Sequence, residues 1–245
     1  MKNTLGCVRR ADEDFALIQP GDRVAVGVSG GKDSFLLLEA LRLYQMFSHK
    51  HYDLCAITVD PGYGFDASPL AEYCARHGIP FYLAEGAVVE TANSLAKPGK
   101  SPCSLCAKMR RGALNAKAGE LGYNKVALAH HRNDALETFL LSMFFEGRLN
   151  TLAPKSYLQR ADLTVIRPFL YLEEKHIKGV VKQLQLPIIA SPCPFDGHTK
   201  RETMKQYLKD LRQQFPRADE MMFFALSNTD GYHLWDQYKQ PVSPK

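Results

Sequence analysis

The sequence predicts an α/β protein: a mostly parallel, twisted sheet with helices on both faces. Three observations carry that expectation. Short apolar runs suited to buried strands alternate along the chain with longer stretches of helical periodicity, the pattern of βαβ units. The short runs are nearly continuous in apolar residues, as strands covered on both faces require. Glycines stand where the helical stretches should stop, at Gly78, Gly122 and Gly147.

Strands are expected over 24–28, 54–59, 81–83, 126–129 and 163–166, the last closed by Arg167-Pro168. Between them, helices are expected over 34–47, 66–77, 106–121 and 133–145, followed by 173–184 and 199–215. Segments 92–102 and 150–162 read as loops, and neither an internal repeat nor a low-complexity tract is visible. Residues 1–215 are expected to form one domain, and 216–245 a C-terminal tail that is partly disordered and frays over 240–245.

Composition narrows the class. The chain has 245 residues, 45% apolar and 23% charged, with a net charge of +5 that leans toward polyanions such as nucleotides or nucleic acid. No apolar run is long enough for a transmembrane helix. The first 15 residues carry Lys2, Arg9, Arg10, Asp12, Glu13 and Asp14 and lack the apolar core of a signal peptide. A cytoplasmic protein with no membrane partner is expected, where structural disulfides are rare. The six cysteines are then packing residues, metal ligands or catalysts. Cys55 and Cys74 fall in core-like stretches, Cys7 is ambiguous, and Cys103, Cys106 and Cys193 remain as candidates for chemistry.

The strongest signal follows the first strand. Ser29, Gly30, Gly31, Lys32, Asp33 and Ser34 lie between a strand and a helix, at the end of the sheet where such folds bind ligands. The glycines allow close backbone approach, and successive N–H groups with the helix N-terminus form a cradle for phosphate. Ser29 and Ser34 offer hydroxyl donors and Lys32 a mobile charge, whereas Asp33 should bond backbone amides or approach Mg2+. The spacing is not that of a Walker A loop. A plain glycine turn is the competing reading. Ser-Gly-Gly-Lys-Asp-Ser resembles the PP-loop motif of the N-type ATP pyrophosphatases, which implies an adenine nucleotide alpha-hydrolase-like fold and cleavage of ATP to AMP and pyrophosphate.

His130, His131 and Asp134 follow the strand at 126–129, in His-His-Arg-Asn-Asp. Asn133 or Asp134 would cap the next helix, and the group suits acid–base work or Mg2+ binding beside phosphates. A polar capped turn is the alternative. The stretch is similar to the His-His-x-Asp-Asp segment of tRNA-modifying PP-loop enzymes, which implies a catalytic role for Asp134 and places His130 and His131 at the nucleotide. Asn133 departs from that pattern. By the same resemblance Asp60, after the second strand, would meet adenine or ribose; a turn residue is the other reading. Arg167, before Pro168, would contact ATP phosphates or RNA.

Cys103-Ser-Leu-Cys106 is a C-x-x-C pair followed by Lys108, Arg110 and Arg111. A thioredoxin-type pair, a zinc site using Cys193 with His198 as fourth ligand, and an iron–sulfur cluster on three thiolates all compete. The arrangement resembles the tRNA 2-thiocytidine synthetase (TtcA) family over most of the chain: Arg9-Arg10-Ala11, Gly21-Asp22-Arg23-Val24, residues 103–112, 130–134, Ile166-Arg167-Pro168 and Leu186-Pro187-Ile188-Ile189. In that family a C-x-x-C pair and a distant cysteine hold a 4Fe-4S cluster, here implying Cys103, Cys106 and Cys193. The chain departs from the family in lacking a second C-x-x-C at Cys193-Pro-Phe-Asp196.

The resemblance implies a tRNA thiolase. It would adenylate the C2 oxygen of a cytidine in the anticodon loop and replace it with sulfur delivered by the cluster. ATP, Mg2+ and the cluster are its cofactors; tRNA and a sulfur donor such as a cysteine desulfurase are its partners, and a homodimer is left open. Lys108, Arg110, Arg111, Lys117 and the basic face of 199–215, opposite Met204, Leu208, Leu211 and Phe215, would track RNA phosphates or merely be solvated. Three other readings stay in view: thiolation of a uridine, amine ligation of the lysidine synthetase type, and a non-enzymatic iron–sulfur sensor.

Overall fold

The computed structural model describes residues 1–84, 91, 94, 102–190, 193, 200–228, 232 and 234. Most of the loop expected at 92–102, residues 194–199 with His198, and the terminal 240–245 lie outside them. Among the described residues six strands form one sheet in the order β3-β2-β1-β4-β6-β5. They are β1 (Arg23–Gly27), β2 (Asp53–Val59), β3 (Phe81–Ala84), β4 (Lys125–Ala127), β5 (Lys155–Leu158) and β6 (Leu163–Ile166). Every pairing is parallel except β5 with β6. The helices are α1 (Lys2–Phe15), α2 (Lys32–Phe47), α3 (Ser68–Arg76), α4 (Cys103–Glu120), α5 (Arg132–Glu146), α6 (Glu174–Leu184), α7 (Lys200–Gln214) and α8 (Ala218–Leu226).

The two faces of β1 show why the sheet is buried on both sides. Val24 and Val26 pack with α1, α2, α3 and α6 through Val8, Phe35, Leu38, Leu70 and Ile177. Ala25, one residue out of phase, joins Cys55, Ile57 and Val126 in a second cluster against Leu114 and Ala118 of α4. A third, smaller cluster ties α5 to α7 through Leu136, Leu140, Met204 and Leu208, with Leu226 of α8 alongside. Cys55 and Cys74 are fully buried, as packing residues should be.

Topology fixes where a ligand can enter. The chain steps from β1 outward to β2 and β3, then returns to place β4 on the other side of β1. Strand order reverses between β1 and β4, so their carboxyl ends open a crevice between the connections that leave them. Those connections are residues 28–31 and 128–131, the two segments singled out by sequence.

One helix was not foreseen, and two expectations, the loop at 150–162 and the buried face of Phe215, need correction. The N-terminal residues form α1, which buries Thr4, Val8, Ala11 and Asp12. Two of those four are polar, so the stripe does not read as apolar. Asp12 earns its place by accepting from Ile18 N (2.8 Å), the Tyr44 hydroxyl (2.7 Å) and Lys50 Nζ (2.6 Å). The loop expected over 150–162 contains β5, an edge strand with no fully buried residue and hence no apolar run. Beyond Pro216 the chain is helical over α8, and Phe215 is exposed rather than sharing the buried face of Met204 and Leu208.

Candidate functional site

The chain leaves β1 and turns tightly into α2. Gly30 is buried at φ +84°, the left-handed region that side chains avoid. A Cβ on it would lie 3.0 Å from Ile189 Cβ and 3.4 Å from the Phe65 ring. Gly31 caps α2 in an extended conformation. The two serines lock the turn: Ser29 N donates to Ser34 Oγ (3.1 Å), Ser34 Oγ donates to Gly31 O (3.0 Å), and the hydroxyls stand 3.2 Å apart. The first-turn N–H groups of α2 have no intrahelical acceptors and point out of this preformed loop.

Lys32 and Asp33 are less simple. Lys32 Nζ bonds Asp33 Oδ2 (2.8 Å) and Glu174 Oε1 (3.2 Å). Glu174 opens α6 and also meets Lys178 (3.2 Å) and Lys205 (3.5 Å). Burial works against its charge, yet the lysines, Lys32 foremost, prevail and hold its carboxyl down at about 2. An incoming phosphate therefore competes with Glu174 for Lys32. Asp33 Oδ1 is buried without a hydrogen-bond partner. An orphaned carboxylate oxygen beside a phosphate loop fits an Mg2+ ligand.

After β4, His131 is the N-cap of α5, not Asn133 or Asp134 as expected. Its Nδ1 accepts from Asp134 N (3.4 Å) while Asp134 Oδ2 accepts from His131 N (2.9 Å), a capping box. With Nδ1 accepting in the cap, His131 turns its Nε2 toward Asp33 Oδ1, 3.9 Å away. Asn133 Oδ1 instead accepts from Glu174 N (3.0 Å), joining α5 to α6. Asp134 turns its other oxygen toward Arg201, 3.6 Å away. His130 Nδ1 is buried and unpartnered. Burial pushes the His130 pKa down to about 4; Asp134 opposes this, and Arg167, Arg201 and Arg111 add to it. His130 is therefore neutral at pH 7.

These parts surround a cleft of about 670 Å³, a size suited to a nucleotide. Ser29, Gly31, Asp33 and Ser34 line one part, and Ile57 and Val59 of β2 another. His130 and Asp134 lie in the same cleft, and so do Arg110, Arg111 and Arg201. The start of α4 contributes Ser104 and Ala107. Gly30, Lys32 and His131 do not line the cleft themselves, though each adjoins a residue that does. Asp60 accepts from Gly62 N (2.7 Å), capping its own turn outside the lining. Arg167 also stands outside; its Nη1 donates to Ala153 O (2.6 Å), and burial, aided by Arg111, lowers its pKa.

Cys103 and Cys106 lie one turn apart at the start of α4, half-buried, and Cys193 is half-buried as well. Burial raises the Cys106 pKa, Arg110 opposes it, and Cys193 and Cys103 both add to it, so the three thiols share one neighbourhood beside the cleft. Among the described residues, however, no three His, Cys, Asp or Glu side chains are gathered tightly enough to hold a metal ion. Three thiols suit a cluster with one iron left for an external ligand. The connection bearing Cys193 is anchored to the cleft at both ends, by Ile189 N on Gly30 O (3.0 Å) and by Arg201. Sequence reading did not assign Arg201, Glu174 or Ile189 to the site. Their signal is spatial: each works on a partner at least 41 residues away.

Comparison with known proteins agrees with this geometry. Residues 7–211 match the family described as PP-loop domain. The tRNA-cytidine(32) 2-sulfurtransferase of Pelobacter propionicus is 41% identical over 95% of this chain and 88% of its own. That of Geobacter metallireducens is 38% identical over 99% and 94%. Among solved structures, the U34-tRNA thiolase NcsA from Methanococcus maripaludis, determined with its [4Fe-4S] cluster, shares the fold with a TM-score of 0.75. It is 22% identical, covering 93% of this chain and 77% of its own.

Proposed function

This chain belongs to the tRNA-cytidine(32) 2-sulfurtransferase family of PP-loop proteins, and from that premise we propose that it uses ATP to exchange the C2 oxygen of cytidine 32 in tRNA for sulfur. The observation that carries the reading is a shared wall. The first turn of α4, which bears Cys103 and Cys106, lines the same cleft as the phosphate loop.

The C2 oxygen attacks the α-phosphorus of ATP. A new O–P bond forms, the bond to the bridging oxygen breaks, and pyrophosphate leaves with that electron pair. Backbone N–H groups at Gly31 and the start of α2, with the Ser29 and Ser34 hydroxyls, receive the leaving group in a turn already shaped for it. Lys32 exchanges Glu174 for phosphate oxygens. Asp33 Oδ1 would hold Mg2+, which supplies charge neutralisation on the phosphates. Neutral His130 offers a hydrogen bond to nucleotide or base without adding charge, and the His131–Asp134 box keeps it in place. Adenylation turns a poor leaving oxygen into AMP, so that sulfide can add at C2 and AMP depart. Cys103, Cys106 and Cys193 would hold a 4Fe-4S cluster, which when bound supplies that sulfur. The cleft must exclude water, since the adenylate would otherwise hydrolyse.

We place the PP-loop domain at 1–215 with an appendage from 216 onward. We place the enzyme in the cytoplasm, fed by a sulfur donor of the cysteine-desulfurase kind. Among the described residues no helix is long and apolar enough to cross a membrane. The test is product analysis of ATP turnover with unmodified tRNA. AMP and pyrophosphate released only when tRNA is present support the reading. ADP and phosphate, or turnover indifferent to tRNA, overturn it.

A further inference from the structure

Arg201 sits in the first turn of α7, and its side chain lines the nucleotide cleft while 40% exposed. It is held at a fixed angle by α5. Nη1 donates to Asp134 O (3.3 Å) and Glu137 Oε2 (3.2 Å), and Nη2 donates to Thr138 Oγ1 (3.0 Å). Glu137 is only 4% exposed. A buried carboxylate gripping a guanidinium whose remaining surface opens into a cleft is how a charge is aimed rather than merely neutralised.

The charge balance of the cleft points the same way. Asp33 and Asp134 both line it, and the phosphate loop's own lysine is tied to Asp33 and Glu174. The phosphates of ATP need cations beyond the backbone donors of the loop, and Arg110, Arg111 and Arg201 line the same cleft. Arg110 and Arg111 rise from the cysteine-bearing helix, whereas Arg201 is fixed to the helix that begins at the His131 cap. Glu137 does not simply cancel that charge. Burial, then Asp134, raise its carboxyl to about 7 against the pull of Arg201 and Lys205.

We propose that Arg201 is a catalytic residue that binds the phosphate chain of ATP and stabilises the charge released with pyrophosphate, with Glu137 and Thr138 as its positioning residues. The proposal rests on the reading of the cleft as an ATP site.

The experiment is steady-state pyrophosphate release by the full chain with tRNA, for wild type, Arg201→Ala, Arg201→Lys and Glu137→Gln, with thermal unfolding of each. Arg201→Ala is expected to lower kcat/KM for ATP by about 100-fold or more, chiefly in kcat. Arg201→Lys, which keeps the charge but cannot fork between Glu137 and a phosphate, should lose at least about 10-fold and serves if the alanine variant does not fold. Glu137→Gln should retain much of kcat but lose the inflection near neutral pH that Glu137, faced by Asp134, Arg201 and Lys205, imposes on the wild type. Lowered unfolding temperatures with kinetics within about 2-fold of wild type would make Arg201 a purely structural anchor and overturn the proposal. Absence of pyrophosphate release from the wild type would instead overturn the ATP reading, and the proposal with it.

Discussion

Replacing Gly30 with alanine tests the phosphate loop where the structure constrains it most. Two costs add. An L-residue held in the left-handed region loses about 1–2 kcal/mol. The new methyl would stand 3.0 Å from Ile189 Cβ, closer than side-chain carbons pack, so Ile189 or the loop must shift. Forcing extra volume into a packed site costs about 1–3 kcal/mol. The sum, roughly 2–5 kcal/mol, is a large part of the stability of an ordinary domain. Moving Ile189 also disturbs its N–H bond to Gly30 O (3.0 Å), which anchors the connection to Cys193. Gly31 is the control. Its φ is −75°, and a Cβ there would meet nothing nearer than Ser29 Oγ at 3.5 Å. Gly31→Ala should therefore change stability by less than about 1 kcal/mol, its weaker capping offset by a stiffer unfolded chain. Urea unfolding of both variants, with ATP affinity measured on the folded protein, reads the difference. Equal midpoints for Gly30→Ala and Gly31→Ala would refute the reasoning.

Other perturbations follow from the same geometry. Glu174→Gln removes a carboxylate held at about 2 and should destabilise the protein by roughly 2–3 kcal/mol at pH 7. Because the folded-state pKa lies below the unfolded one, that loss should shrink as pH falls below about 4.5 in urea titrations. His130 has its pKa depressed to about 4, so its contribution is present above about pH 6.5 and lost as pH falls toward 4. His130→Gln should flatten the stability profile across that window. Cys103→Ser, Cys106→Ser and Cys193→Ser should each lower bound iron after anaerobic reconstitution while leaving ATP binding intact. Cys55→Ser, in a fully buried position, should cost stability rather than iron.

Legibility in the sequence followed burial and locality. β1, β2 and β6 were visible because central strands of a parallel sheet are apolar throughout, as Ala25, Ile57 and Val165 are here. β5 was not, because an edge strand pairs on one side only and exposes Tyr157. α1 was missed because its buried stripe includes the polar Thr4 and Asp12, and the partners of Asp12, Ile18 N, Tyr44 and Lys50, lie in other parts of the chain. The phosphate loop was legible because its chemistry is local: two glycines and two serines within six residues. Asp134 was singled out in the sequence and lines the cleft, but its partnership with His131 reversed the expected capping roles. Arg201 and Glu174 were not assigned to the site because nothing near them in sequence distinguishes them from surface charges. Only the packing of α6 and α7 onto the loop and α5 gives them a task. Cys193 was reached through family resemblance, and its nearness to Cys106 is a property of the folded chain.

The central claim is that one cleft joins ATP-driven adenylation to thiol-held sulfur chemistry on tRNA. The most direct measurement is nucleoside mass spectrometry of unmodified tRNA after anaerobic incubation with ATP, Mg2+, sulfide and the iron–sulfur-reconstituted protein. The account predicts 2-thiocytidine that requires ATP and disappears with Cys193→Ser. A wild-type reaction that yields no thiolated nucleoside, or thiouridine in place of thiocytidine, would contradict it.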